Sequence, residues 1–324
     1  MRRLILLVAA LALPVAGCAP AAGPAPVVGL SYIPNVQFAP FYVAQARGFL
    51  GDASLRHHGA NEGLFTAIAA GQEQFVVAGG DEALQAREQG VDLVAVASYY
   101  RQYPVRIIAR EDAGIATLAD LRGKRVGLPG RYGESWFGLL VALKSAGLSE
   151  ADLTIEEIGY THQAALAAGK VDAAVGFVNN DLVQDQSAGL PVVALSLTPD
   201  GEPPLVGASL FTTRAYLDGH RDVVSRVAKG FVDGMSAVVA DPTDALTVSA
   251  TQIPGLDQPD ALAAARATLA ATIPVMTGAD GTVSGALDAA QWQAMADFLL
   301  DAGVLTKPAD AASAVDTTIL AGMR

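Results

Sequence analysis

Short apolar runs rich in β-branched residues alternate with longer, Ala-rich segments of helical periodicity from residue 27 to about residue 198. The runs predict buried strands, which we place at 27–32, 75–78, 94–97, 105–109, 125–128, 154–158, 173–177 and 192–196. The segments between them predict helices at 41–47, 64–70, 83–88, 136–146, 163–168 and 181–187, several with a glycine just past the end. Such alternation indicates α/β architecture with mainly parallel sheets that are covered on both faces.

The pattern changes after residue 212, where only helices are predicted, at 215–239, 258–272 and 289–302. Residues 111–121 look like the start of a second unit, with Thr117 placed to cap a short helix. We therefore expect lobe I to comprise residues 27–105 and 205–324, including a C-terminal helical segment, and lobe II to comprise residues 106–204. Two chain crossings between two open-sheet lobes would form a hinge with a cleft.

Composition and charge narrow the class of protein. Of the 324 residues, 52% are hydrophobic and 17% are charged, which excludes a largely disordered chain. The formal net charge is −12 and no Lys/Arg cluster is visible, so nucleic acid is not an expected partner.

The amino terminus predicts export. Arg2 and Arg3 precede a short apolar run, and the small residues before Cys18 suit a cleavage site, so residues 1–17 are expected to be a signal peptide. The sequence Val-Ala-Gly-Cys ending at Cys18 resembles a bacterial lipobox, which implies acylation of that thiol, a tether over residues 18–26 and an extracytoplasmic protein anchored to the cell membrane. The alternative is an inert thiol. Cys18 is the single cysteine, so no internal disulfide is possible.

Aromatic residues gather where predicted strands end. The chain has Phe 10, Tyr 8 and Trp 2, and eleven of these rings lie in four short places, at 32–42, 99–103, 132–137 and 177. Open α/β sheets bind ligands at the carboxyl ends of their strands, and stacked rings suit a flat heterocycle. The aromatic candidates for ligand binding are Tyr32, Phe38, Phe41, Tyr42, Tyr99, Tyr132, Trp136 and Phe177, with Tyr32, Tyr42 and Trp136 as the principal stacking residues. Core filling is the alternative, above all for Phe41.

Polar candidates occupy the same strand-to-helix turns. They are Asn35, Gly80, Asp81, Glu134, Asn179, Asn180 and Asp181, with Asp81, Glu134 and Asn180 as the principal groups that would bind polar atoms of a ligand. The last three residues of the set could instead cap the helix that follows them. Carboxylates and amides suit ring N–H groups and hydroxyls, so a neutral ligand is favoured over a sulfonate.

Enzyme motifs are absent from the sequence. The glycines around residue 130 do not have phosphate-loop spacing, and Ser135 does not lie in a hydrolase elbow. The histidines do not have metal-ligand spacing, so we expect no catalytic residue, metal or cofactor. An exported hydrolase that uses Ser135 remains the alternative from another class.

Several segments together resemble one family of solute-binding components of ABC importers, the family that binds thiamine pyrimidine precursors and sulfonates. They are SYIPNVQFAPFYVAQARGF at 31–49 and the shorter stretches 67–72, 79–82, 117–127 and 166–173. The resemblance implies a two-lobed, type II periplasmic-binding-protein fold, a monomer, and a membrane permease with a cytoplasmic ATPase as partners. Its opening motif is most similar to the branch that binds riboflavin or thiamine pyrimidines. Riboflavin is favoured, and a formylaminopyrimidine-type precursor is the alternative.

Overall fold

The computed structural model describes residues 25–59, 62–199 and 201–321 and contains two five-stranded sheets. The predicted signal peptide, Cys18 and most of the tether lie outside these residues. The strands are β1 (Val27–Leu30), β2 (Ser54–His57), β3 (Phe75–Ala78), β4 (Leu93–Ser98), β5 (Val105–Arg110), β6 (Arg125–Leu128), β7 (Thr154–Glu157), β8 (Ala173–Phe177), β9 (Val192–Leu195) and β10 (Ser209–Thr213). The two sheets define two lobes, as the sequence pattern predicts.

The first sheet has the strand order β2-β1-β3-β10-β4 and forms lobe I. Strand β1 pairs in parallel with β2 and β3, whereas β10 runs antiparallel between β3 and β4. The second sheet, in lobe II, has the order β7-β6-β8-β5-β9, in which β5 is antiparallel to β8 and β9. Both sheets are thus mixed, not mainly parallel, because the strand that enters each sheet from the other lobe runs against its neighbours.

The helices cover these sheets. They are α1 (Ala39–Ala46), α2 (Thr66–Ala69), α3 (Gly80–Glu88), α4 (Gly133–Ser145), α5 (His162–Ala167), α6 (Asp181–Ser187), α7 (Arg214–Gly219), α8 (Arg221–Ala240), α9 (Pro242–Ser249), α10 (Pro259–Met276) and α11 (Ala289–Asp301). Thr117 and Asp120 form a capping box on the short 3₁₀ helix Leu118–Leu121, as expected. Helix α8 packs along α1, where Gly234 lets the two backbones approach closely.

Some elements differ from the sequence prediction. Strands β2 and β10 and helix α9 were not predicted, and the helix expected over 215–239 is two helices, α7 and α8, which meet at His220. His220 has an extended φ of −143°, which no α-helix accommodates. Strand β2 lacks an apolar signature because it is a half-exposed edge strand.

The chain passes from the first sheet to the second between Ser98 and Val105, and it returns between Leu195 and Ser209. The elements that follow β10 then pack on lobe I or at its boundary with lobe II. Within residues 25–59, 62–199 and 201–321, no helix is long and apolar enough to cross a membrane.

Candidate functional site between the lobes

Three carboxyl groups meet where the lobes face each other. Asp81 and Glu82 begin α3 of lobe I, and Glu134 lies in the first turn of α4 of lobe II. Gly79 and Gly133 make this approach feasible, since an added Cβ at Gly79 would lie 2.9 Å from Glu134 Cγ and one at Gly133 would lie 2.9 Å from Glu82 Oε1. We call Asp81, Glu82 and Glu134 the carboxyl cluster.

Tyr103, in the crossing segment, binds this cluster. Its hydroxyl lies 2.7 Å from Asp81 Oδ2 and 2.9 Å from the carbonyl oxygen of Glu134, both within donating distance. The backbone amides of Glu82 and Gly79 donate to Asp81 Oδ1 and to Glu82 Oε2. Glu134 Oε1 is buried and has no hydrogen-bond partner within the described part of the chain.

The carboxyl cluster is electrostatically unfavourable when all three groups are charged. Burial, followed by repulsion from Glu82, raises the pKa of Asp81 to about 8. Burial raises the pKa of Glu82 to about 7, and burial together with the two other carboxyls raises the pKa of Glu134 well above its usual range. The site therefore offers carboxyl groups that hold protons near neutral pH and whose ionisation a bound anion would oppose further.

Asn179 forms a second link between the lobes. It follows β8 of lobe II and is fully buried, and its Nδ2 lies 3.1 Å from the Tyr100 hydroxyl and 3.2 Å from Thr272 Oγ1 of α10. Both partners belong to the lobe I side. Its Oδ1 has no partner among the residues that the structure describes. Asn179 thus holds the lobes together and leaves an acceptor free.

The loop after β1 is held by a hydrogen-bonded chain through His57. His57 Nδ1 lies 2.8 Å from the carbonyl oxygen of Tyr32, and its Nε2 lies 2.9 Å from the Tyr42 hydroxyl. Donation from Nδ1 and acceptance at Nε2 require a neutral ring, and burial lowers the pKa of His57 accordingly. The Tyr42 hydroxyl also accepts from the Asn35 amide at 3.3 Å. His57 therefore fixes the backbone that carries Tyr32.

Aromatic rings from both lobes lie together at the edge of this junction. Tyr32 and Tyr160 have ring centroids 6.0 Å apart and an interplanar angle of 47°. Tyr32 is half-buried, whereas the exposed fractions of Tyr160 and Tyr132 are 60% and 56%. Burial, followed by the Asp181 carboxylate, raises the pKa of Tyr32.

The other aromatic candidates lie further inside. Phe41 and Tyr99 belong to the core of lobe I, where Phe41 stacks on Phe231 at 4.4 Å, and Phe38 packs edge-on against His57. Trp136 is half-buried and carries the Arg131 guanidinium 5.0 Å from its ring centroid, and Phe177 is half-buried at the end of β8.

The remaining polar candidates mainly support the backbone. Asn35 caps the 3₁₀ helix Val36–Phe38 through its side chain, and the Gly80 amide donates to the Val206 carbonyl at 2.9 Å. Asp181 Oδ2 accepts from the Phe177 amide at 2.8 Å. Asn180 is the N-cap residue of α6, but its side chain accepts from Gln184 Nε2 and not from the helix backbone.

Sequence reasoning missed His57, Glu82, Tyr160 and Thr272 as members of this junction. Glu82 adjoins a chosen residue and could have been found, because a carboxylate at the third helical position often binds the amide before the helix. The others come from an edge strand, a loop and a distant helix, so their proximity depends on tertiary structure.

The described residues bear on two other kinds of site: a metal centre and a ligand cavity away from the junction. No group of three His, Cys, Asp or Glu side chains is arranged to hold a metal ion in the described ranges. A surface cavity of about 340 Å³ lies apart from the junction, beside Arg110, Gly169 and Val192, and none of the candidate ligand-binding residues lines it.

Two lobes with mixed five-stranded sheets, joined by two crossings and meeting at a polar and aromatic junction, form the two-lobed fold of periplasmic binding proteins. The sequence matches the family described as NMT1/THI5 like over residues 35–245. The chain belongs to this family, which confirms the membership predicted from its motifs.

Relatives of known name support this placement. The riboflavin-binding protein RibY of Chloroflexus aurantiacus is 32% identical over 90% of this chain and 85% of its own. The formylaminopyrimidine-binding protein of Halalkalibacterium halodurans is 23% identical over 83% of each chain. The alkanesulfonate-binding protein SsuA of Xanthomonas axonopodis pv. citri has the same fold, with a TM-score of 0.69, 22% identity, and coverage of 91% of this chain and 99% of its own. The desulfurization enzyme DSZB also shares the fold, with a TM-score of 0.59 and 16% identity.

Proposed function

We propose that this solute-binding protein captures riboflavin outside the cytoplasm and delivers it to a membrane permease driven by a cytoplasmic ATPase. The observation that carries the proposal is the set of buried acceptors at the lobe junction, where Glu134 Oε1 and Asn179 Oδ1 have no partner in the described structure. Unpartnered buried acceptors are costly, so a ligand that donates hydrogen bonds would stabilise the closed lobes. Riboflavin offers a ring N–H and several hydroxyl groups as donors.

The chemistry of the junction selects against an anionic ligand. A sulfonate has no hydrogen to donate, and it would approach three carboxyl groups and the free Asn179 oxygen. The described residues of the carboxyl cluster have no Lys or Arg partner. The likeness to SsuA therefore extends to the fold but, in our proposal, not to the ligand.

The mode of action follows from the two lobes. Contacts from both lobes would favour the closed state over the open state by their differential affinity, and the closed protein would then dock on the permease. Residues 27–105 and 205–324 would move against residues 106–204. Acylation of Cys18 would anchor the monomer to the cell membrane, and no step of catalysis is required.

Titration of the purified protein with riboflavin tests the proposal. We expect saturable quenching of flavin fluorescence with one site per chain, together with an increase in melting temperature. Absence of quenching and of thermal stabilisation would refute riboflavin binding. The Ser135→Ala variant should bind equally well, whereas ester or phosphate turnover that this substitution abolishes would favour the hydrolase alternative.

A thiamine pyrimidine precursor is the second candidate, and the carboxyl cluster is the observation that favours it. An aminopyrimidine presents a ring nitrogen and an adjacent amino group, which pair well with a carboxyl group. Stabilisation by a formylaminopyrimidine without any response to riboflavin would establish this candidate instead.

A further inference from the structure

Tyr160 lies in a short loop of lobe II that is shaped to present its ring at the junction. Gly159, directly before it, has a φ of 55°, which lets the chain turn sharply between β7 and α5. The Tyr160 side chain is 60% exposed, although it is a large aromatic group at the protein surface. An exposed ring that faces an aromatic residue of the opposite lobe is a candidate ligand contact.

The Tyr160 ring has a neighbour in its own lobe. Burial is the main cause that raises the pKa of Tyr160 to about 12, and Tyr132 is close enough to contribute. The Tyr132 ring in turn lies directly on Gly130, where an added Cβ would be 2.9 Å from Tyr132 Cδ1. Across the junction, the Tyr32 backbone is held by His57. Each of the two rings thus belongs to a separate lobe, and the Tyr32 backbone is held without any contribution from Tyr160.

The distance between the Tyr32 and Tyr160 rings is close to the distance between two aromatic rings that enclose a planar ligand. Their centroids are 6.0 Å apart. A flat heterocycle between two rings needs about 3.5 Å on each side, or roughly 7 Å in total. An opening of about 1 Å and a rotation that makes the tilted rings parallel would admit one planar ring system. Rocking of one lobe on the other supplies a motion of this kind.

The surroundings of this ring pair match the proposed ligand. The aromatic residues of lobe II adjoin the carboxyl cluster, because an added Cβ at Gly133, the neighbour of Tyr132, would lie 2.9 Å from Glu82 Oε1. A ligand held between the rings would thus extend towards the buried acceptors.

Resting on the proposed function, we infer that Tyr160 is a specificity-determining residue, which with Tyr32 sandwiches the planar ring system of the ligand between the lobes. The ring of Tyr160 selects for flat heteroaromatic ligands, and the acceptors behind it select for hydrogen-bond donors.

Flavin fluorescence can separate stacking from a general effect on the fold. An excited flavin takes an electron from a stacked phenol and returns it on relaxation, which quenches emission, whereas a benzene ring does not donate an electron. We expect Tyr160→Phe to bind riboflavin with nearly unchanged affinity but with a brighter, longer-lived bound flavin. The double variant Tyr32→Phe/Tyr160→Phe should be brighter still. Tyr160→Ala should weaken binding by about tenfold, since a stacked ring contributes roughly 0.5–1.5 kcal/mol beyond its buried area.

Tyr216→Phe is the matched control, because Tyr216 lies on α7, away from the junction, where its ring stacks on that of His220. This variant should retain the affinity and the fluorescence lifetime of the wild type. Since Tyr160 is exposed, its variants should also retain the wild-type melting temperature. Wild-type quenching with unchanged affinity and lifetime in the Tyr160 variants would overturn the inference but leave the proposed function intact. A wild-type protein that neither quenches riboflavin nor is stabilised by it would overturn both.

Discussion

Replacing Asp81 by Asn should make the stability of the protein markedly less sensitive to pH. Asp81 is fully buried, and its two carboxyl oxygens accept from the Glu82 amide at 2.8 Å and from the Tyr103 hydroxyl at 2.7 Å. In Asp81→Asn the amide oxygen can accept from Glu82, while the new amide nitrogen donates to the Tyr103 oxygen. The Tyr103 hydroxyl then donates to the carbonyl of Glu134, 2.9 Å away, so no hydrogen bond is lost.

The sign and size of the pH dependence of stability follow from proton linkage. The pKa of Asp81 is raised from its ordinary 3.8 to about 8, so between these values the folded protein holds a proton that the unfolded chain has released. The free energy of unfolding therefore falls as pH rises through this window, by about 1.4 kcal/mol per pH unit for one proton. The raised pKa values of Glu82 and Glu134 act in the same direction. Between pH 5 and pH 7, Asp81→Asn should therefore make the fall in the free energy of unfolding less steep by about 1.4 kcal/mol per pH unit.

Other groups should not obscure this difference. Exposed carboxylates with a lowered pKa, such as Asp112 and Asp120, contribute a slope of opposite sign, but only below about pH 5. His57, whose pKa is lowered, adds stability as pH rises through its unfolded value, equally in both proteins. The difference between wild type and variant therefore reports on Asp81 together with the part of the Glu134 shift that Asp81 causes, which acts in the same direction.

Urea unfolding at pH 5, 6, 7 and 8 measures the slope. The protein has two tryptophans, Trp136 on α4 of lobe II and Trp292 on α11 beside lobe I, so intrinsic fluorescence reports on both sides of the junction. Glu156→Gln, on the exposed edge strand β7, is the control and should keep the wild-type slope. Parallel curves for wild type and Asp81→Asn would refute the reasoning, because they would mean that Asp81 is ionised in the folded protein.

Three further substitutions test the junction and the packing behind it. Asn179→Ala removes two cross-lobe hydrogen bonds and should weaken riboflavin binding by about thirtyfold in calorimetry, from roughly 1 kcal/mol per bond; unchanged affinity would exclude a role in closure. Gly234→Ala would force a Cβ against the carbonyl of Pro40 and should lower the free energy of unfolding by about 1–3 kcal/mol, whereas the exposed Ser236→Ala on the same helix should not. Trp136→Ala should weaken riboflavin binding by about 1–3 kcal/mol without loss of folding, and equal affinity would remove Trp136 from the site.

The sequence pattern was informative where apolar runs are continuous. Strands such as 75–78, 125–128 and 173–177 were predicted to the residue, because buried strands need apolar side chains on both faces. The antiparallel direction of β5 and β10 was not predictable, since apolar composition carries no information on strand direction. Strand β10 is buried, yet its short sequence next to the helical region does not predict a strand.

The candidate site was predictable only in part. The sequence placed Asp81 and Glu134 in strand-to-helix turns, and the fold brings these two carboxyls together from opposite lobes. Their contact with a ligand stays a prediction. Phe41 has the same sequence context as Tyr42, yet it faces Phe231 in the core while Tyr42 reaches His57. Tyr160 was missed because a single tyrosine in a loop between an exposed strand and a short helix does not have a distinguishing pattern.

The place of β10 in its sheet has a consequence for how the chain folds. Lobe II uses a continuous segment, whereas β10, made after the whole of lobe II, is hydrogen-bonded on both sides between β3 and β4. A growing or translocating chain can thus complete the second sheet while the first still lacks an interior strand. Long-range closure of this kind is slow, so lobe I should be the part of the newly made protein that stays incomplete longest and most needs protection by chaperones.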